Sequence, residues 1–114
     1  RGNYKSDSDL LFTVSNDAWF GDSIGPHQHM QIARMRALEL QRPLVRVTNN
    51  GISGVYDPIS QTRQTMPQFE ATTLKASIKL IQGDSVYSQY GNMFVWFILV
   101  LLTLVSVIFK QRHQ

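Results

Sequence analysis

The chain has 114 residues, with eleven Lys and Arg against eight Asp and Glu, and no cysteine. That length suits one small domain, and the missing thiols exclude disulfides and thiolate metal sites within it. The net charge of +3 is spread thinly: residues 1–90 hold nine basic against eight acidic side chains, and no basic patch interleaved with aromatics points to nucleic acid.

After the polar opening YKSDSD, the run LLFTVS (residues 10–15) predicts a short strand, apolar enough to be buried on both faces. It leads into NDAWFG, where Trp19 and Phe20 stand between Asn16-Asp17 and Gly21. Such a loop, held by rigid elements, often borders an active site. A helix follows. Pro26 fits its first turn, where a missing N–H costs nothing, and Pro43 disfavours helical geometry at Arg42. Between them Met30, Ala33, Ala37 and Leu40, with Leu38 beside them, form one apolar stripe. Asp22 and Ser23 stand where an N-cap would. Glu39 has Arg36 and Arg42 three residues away on either side.

The period then changes from helical to alternating. LVRVT (44–48) and ISGVY (52–56) are strand-like and joined by NNG, a hairpin signal because Asn50 and Gly51 both tolerate positive φ. DPISQ makes another turn. In EATTLKASIKLI, Thr72, Leu74, Ala76, Ile78 and Leu80 alternate with Thr73, Lys75, Ser77 and Lys79, predicting a strand with one wet face. No internal repeat or low-complexity segment interrupts the series.

The run MFVWFILVLLTLVSVIF (93–109) holds seventeen residues without charge, proline or glycine. As a helix it spans about 26 Å, and Gly91, Asn92 and Lys110 extend it into the headgroups, so it predicts a membrane crossing. Only Thr103 and Ser106 interrupt it, and their hydroxyls can bond carbonyls of the preceding turn. Its position at this end of the chain excludes a signal peptide. Asp84 precedes it and Lys110 and Arg112 follow it, while Tyr87, Tyr90 and Trp96 cluster at its start. The positive-inside rule therefore puts the C-terminus in the cytoplasm and the globular part across the membrane.

The expected fold class is α/β, ordered strand, helix, strand, strand, strand over residues 1–83. A juxtamembrane linker (84–91), a transmembrane helix (92–110) and a cytoplasmic tail (111–114) complete it. One helix covers only part of one sheet face, so these elements look like half of a layered domain.

Candidate chemistry is sparse. His27 and His29, with Asp17 or Asp22, invite a metal reading, but positions two apart on a helix face different directions. Solvated or locally bonded histidines are expected instead, and no metal. Asp17, Asp22, Glu39 and Asp57 could supply an acid–base pair, yet each has a structural role to play in a helix, cap or turn. Ser15, Ser23 and Ser53 lack the glycine-flanked elbow of a serine hydrolase. Trp19 and Phe20 either fold onto the core or line a pocket for an apolar chain, and the membrane segment downstream makes that chain lipid-like. Asn16, Asn49 and Asn50 are weaker site candidates that also suit backbone turns.

SNDAWFG, RMRALE, RP and TNNG, followed by a terminal membrane helix, occur here in the order found in the apolipoprotein N-acyltransferase family, which the chain resembles from about Leu10 onward. More loosely, RALE, RP and TNNG are similar to the helix-then-strand segment of the nitrilase superfamily. The resemblance implies a partial nitrilase-like αββα sandwich on the periplasmic side of the inner membrane. It implies transfer of an acyl chain from a phospholipid donor to the N-terminal cysteine of a diacylated apolipoprotein acceptor, through a thioester on the enzyme. It implies no cofactor and a monomer at full length. That family's glutamate base, oxyanion-stabilising lysine and nucleophilic cysteine all precede the segment matched here. None is expected in this chain, and neither Glu39 nor Lys75 replaces them. The 114 residues are therefore expected to be an inert C-terminal fragment contributing Trp19, Phe20, Asn16 and Asn50 to a substrate pocket. Two other readings stay open at this point: a fragment of another membrane-anchored nitrilase-superfamily amidase, or a non-catalytic membrane-tethered binding module.

Overall fold

The computed structural model describes residue 5 and residues 7–112. Strand β1 (Leu11–Asn16) passes through a 3₁₀ turn (Ala18–Phe20) into helix α1 (Gly25–Leu40) and returns as β2 (Leu44–Asn49). β1 and β2 pair in parallel, Leu11 opposite Leu44 and Asn16 opposite Asn49. A parallel pair needs a crossover, and α1 supplies it. β3 (Gly54–Tyr56) runs antiparallel to β2, and β4 (Arg63–Thr65) antiparallel to β3, giving one sheet in the order β1-β2-β3-β4.

The predicted stripe is the buried face of α1: Met30, Ala33, Ala37 and Leu40 are at most 9% exposed. Ala33 and Ala37, with small side chains, bring the helix close to Leu44 and Tyr56, while Leu11 and Leu38 close the rim of this core. The Arg34 guanidinium lies 5.0 Å from the Tyr56 ring centroid, a cation–π contact. The helix begins at Ile24, not at Asp22 or Ser23. Ile24 provides no side-chain cap, and Ser23 Oγ instead accepts the Gly25 N–H at 3.2 Å. It ends at Gln41, in left-handed geometry (φ 53°).

Arg42 and Ser85 tie this end of α1 to the rest of the chain. Arg42 is buried and donates to the carbonyls of Ser8, Gln41 and Gly83. Ser85 Oγ donates to the Glu39 carbonyl at 2.5 Å and accepts the Ser88 N–H at 3.0 Å, capping a short helix α2 (Val86–Tyr90) inside the expected linker. Arg36 pairs with Glu39 as the spacing predicts, at 2.5 Å.

Four expectations are corrected. Residues 71–82 form no strand: β4 takes the place beside β3, these residues join neither outer edge of the sheet, and Leu74 and Leu80 remain exposed. β4 itself, Arg-Gln-Thr with every side chain exposed, carries no apolar signal. The second hairpin strand is three residues, not five, and its loop is wide: Ser53 Oγ accepts the Thr48 N–H at 2.8 Å and donates to the Thr48 carbonyl at 3.2 Å. Only Asn50 has positive φ there (58°); Gly51 does not. Finally, β1 is covered on one face. Phe12 and Val14 are 62% and 71% exposed, and with Val45, Val47 and Val55 they make an apolar sheet face opposite α1.

Helix α3 (Met93–Arg112) contains a stretch, Met93–Gln111, long and apolar enough to cross a membrane, none of it buried against the domain. Thr103 Oγ1 and Ser106 Oγ donate to the carbonyls of Val100 and Leu102, which satisfies both hydroxyl donors within the helix.

Candidate functional site

Ligands of sheets with parallel strands bind beyond the carboxyl ends of those strands. Here that edge is built from Asn16 and Asn49, opposite each other in the register, the turn at residues 17–21 and the loop after β2. Asn16 and Asn49 each stand two residues after a valine, Val14 and Val47, so all four emerge on the uncovered sheet face, where they border an open cleft of about 550 Å³. A second cleft of about 440 Å³ lies between the β2–β3 loop and residues 66–72; Asn49, Asn50, Gly51 and Glu70 are among its lining.

Beneath this edge, on the side of α1, lies a buried, hydrogen-bonded polar cluster. Asp17 is 1% exposed, and its carboxylate accepts from Ser15 Oγ at 2.7 Å, His29 Nδ1 at 3.0 Å and Arg46 Nη2 at 3.1 Å. β1 supplies Ser15, α1 supplies His29, and β2 supplies Arg46 from the inward-facing series Leu44, Arg46, Thr48. The Asp17 N–H also donates to the Asn49 carbonyl at 3.3 Å, continuing the β1–β2 ladder by one residue. Gly51 makes room: a Cβ there would lie 2.6 Å from Asp17 Oδ2. Burial pushes the Asp17 carboxyl upward, but hydrogen bonds from Ser15, His29 and Arg46, with the Arg46 charge, outweigh it. The group is held below the usual carboxylate range.

This geometry defines what the cluster can do. Ser15 donates to the carboxylate, not to the imidazole, so His29 is not placed to take the serine proton and the three do not form a nucleophilic relay. An ionised Asp17 only accepts, which puts the proton of that bond on His29 Nδ1. Sealed from solvent, Asp17 acts as a fastening and not as a general base. The sequence suggested Asp17 as a companion of His29 only in a metal reading that helix geometry set aside, and Arg46 was missed. The available signal was a cation at an inward-facing strand position, which demands a buried anion. Among the described residues, no group of three or more His, Cys, Asp or Glu is arranged to hold a metal ion.

Of the four residues expected to line a pocket, Asn16 and Asn50 border the two clefts. Both also fix the backbone: Asn16 Oδ1 accepts the Ala18 N–H at 3.1 Å, and the Asn50 carbonyl accepts from Gln68 Nε2 at 3.2 Å. Phe20 is half-buried, its ring edge-on to His29 at 5.1 Å, over Gly25, where a Cβ would lie 2.4 Å from Phe20 Cδ1. Trp19 packs against Phe20 at 5.5 Å and is otherwise 83% exposed. An aromatic of that size left in water at a carboxyl edge has the surface a ligand would cover.

The model of the carbon-nitrogen hydrolase family matches residues 1–86. The chain belongs to the carbon-nitrogen hydrolase family. Within that family it is 50% identical to the apolipoprotein N-acyltransferase of Vibrio vulnificus, over 99% of this chain and 22% of the relative. It is 49% identical to the protein of the same name from Photobacterium profundum, over 98% and 22%. With that of Haemophilus influenzae it shares 56% identity over 82% of this chain and 18% of the relative. The chain thus spans about a fifth of the length of these relatives. The resemblance read from SNDAWFG, RMRALE and TNNG holds along nearly the whole sequence.

Proposed function

We propose that these residues are the C-terminal part of an integral membrane N-acyltransferase. The whole enzyme would move an acyl chain from a phospholipid to the α-amine of the N-terminal cysteine of a diacylated apolipoprotein. The observation that carries this reading is the identity of about one residue in two to proteins named apolipoprotein N-acyltransferase, over 98–99% of the chain. The carboxyl-edge architecture supports it, since a loop-lined edge beside an uncovered apolar sheet face is suited to receive both a lipid chain and a facing layer. In this reading the sheet is one layer of a nitrilase-like αββα sandwich. The glutamate, lysine and cysteine of the reaction come from the remainder of the polypeptide, so the 114 residues alone are inert. Trp19 and Phe20 line the acyl-donor pocket, and Asn16 and Asn50 shape its rim. Helix α3 crosses the inner membrane with the globular part periplasmic and the C-terminus cytoplasmic, and the full-length protein works as a monomer.

The chemistry would run in two steps. A thiolate attacks the phospholipid's ester carbonyl, forming a thioester and releasing the lysophospholipid. The acceptor amine then attacks the thioester, forming the amide and returning the thiol.

The test uses the full-length protein in detergent micelles, with a phospholipid and a synthetic peptide bearing a diacylated N-terminal cysteine. Mass spectrometry should find one added acyl group on the amine. Hydrolysis of simple amides without acyl transfer would overturn the reading in favour of an amidase. In the same assay Trp19→Ala should lower kcat/KM for the phospholipid about tenfold while stability is kept, because so exposed a side chain adds little to packing. An unchanged rate at equal stability would remove Trp19 from the pocket.

A further inference from the structure

Among the contacts that hold the aromatic turn, one runs from a buried carboxylate to an aromatic ring through His29. His29 rises from the second turn of α1 and makes two contacts. Nδ1 bonds the buried Asp17 carboxylate at 3.0 Å, and the ring meets Phe20 edge-on at 5.1 Å. Asp17 is itself immobilised by Ser15 and Arg46. Phe20 lies against α1, its ring occupying the space that a Cβ of Gly25 would take. Trp19, 83% exposed, touches this assembly through Phe20 at 5.5 Å. The series runs from a fixed carboxylate, through an imidazole, to the aromatic that abuts the exposed indole.

We propose that His29 is a positioning residue for the acyl donor, setting where Phe20 and Trp19 stand at the carboxyl edge; this rests on the acyltransferase reading given above. Its imidazole never reaches the reacting atoms. It transmits the rigidity of the sheet to a turn that would otherwise be held mainly by backbone hydrogen bonds, Phe20 N–H to Asp17 and Gly21 N–H to Ala18. Both contacts are needed, because a donor without a ring leaves Phe20 unsupported, and a ring without a donor is loose against Asp17. A half-exposed histidine adds little to the core, so its loss should leave the fold intact. The His29 side chain is 40% exposed.

Two variants of the full-length enzyme separate the two contacts. His29→Asn keeps an N–H near the position of Nδ1 and removes the ring; His29→Phe keeps a ring and removes the donor. In each, KM for the phospholipid should rise about tenfold with kcat within twofold of the parent, and amide exchange at residues 18–21 should quicken while that of β1 and β2 stays as it was. A fall in kcat at unchanged KM would mean loss of folded enzyme and would overturn the proposal. So would parental kinetics in either variant. Absence of acyl transfer in the parent protein would instead remove the acyltransferase reading, and the exchange rates at 18–21 would still decide whether His29 holds the turn.

Discussion

Asp17 is a carboxylate sealed beneath a loop, with three side-chain donors, one of them a buried arginine. Its charge is indispensable to Arg46, whose side chain is 7% exposed. Removing one member of a buried pair leaves the other uncompensated, at a cost of about 3–5 kcal/mol. Asp17→Asn in the full-length protein should therefore melt well below the parent at neutral pH. The sign with pH follows from the lowered carboxyl. A group held below its ordinary value of about 3.9 stabilises the fold fully above that value and loses its contribution as pH falls through the lowered one. The gap in Tm between parent and Asp17→Asn should stay constant above about pH 5 and narrow below about pH 4. A gap that widened on acidification would contradict this assignment of charge.

At the scale of elements, the βαβ unit depends on close approach. Ala37, 0% exposed, lets α1 sit on Leu44 and Tyr56, and Gly51 lets the β2–β3 loop close over Asp17. The Gly51 position is not a matter of dihedral freedom, since Asn50 takes the positive φ. Gly51→Ala would put a Cβ within 2.6–2.8 Å of Asp17 Oδ2, Asp17 Cβ and Thr48 Oγ1. The groups it meets are hydrogen-bonded and have little room to yield, so a loss of about 1–3 kcal/mol is expected. A thermal melt beside the parent measures it, and an unchanged Tm would show that the loop can lift. Such contacts leave no trace in a period of apolar residues. The helix was legible because its stripe and its two flanking prolines are local. Residues 71–82 misled for the complementary reason: alternation states which side chains could share a face, while a strand also needs a partner strand, and alternation does not name one.

At the scale of the molecule, two apolar surfaces lie open. One is the sheet face of Phe12, Val14 and Val47, each more than 40% exposed; the other is α3. A membrane suits the second, but not the first, which belongs to a domain of strands and polar loops. The 114 residues produced alone in detergent micelles should therefore bind a hydrophobic dye such as ANS at the sheet face and self-associate. A monomeric chain that binds no dye and unfolds cooperatively would show that the domain is complete as it stands.

By itself the sequence determined the crossover helix and its buried stripe, the apolar helix at residues 93–109, the loop of interest and the family. These are set by local periodicity, by proline placement and by long shared motifs, all of which are written along the chain. The tertiary structure alone decided which inward cation meets which carboxylate, that β4 and not residues 71–82 completes the sheet, and that one sheet face is left open. It also decided that His29 joins Asp17 to Phe20. Each of those depends on residues far apart in sequence meeting at a fixed distance, and a one-dimensional pattern carries distance only between near neighbours.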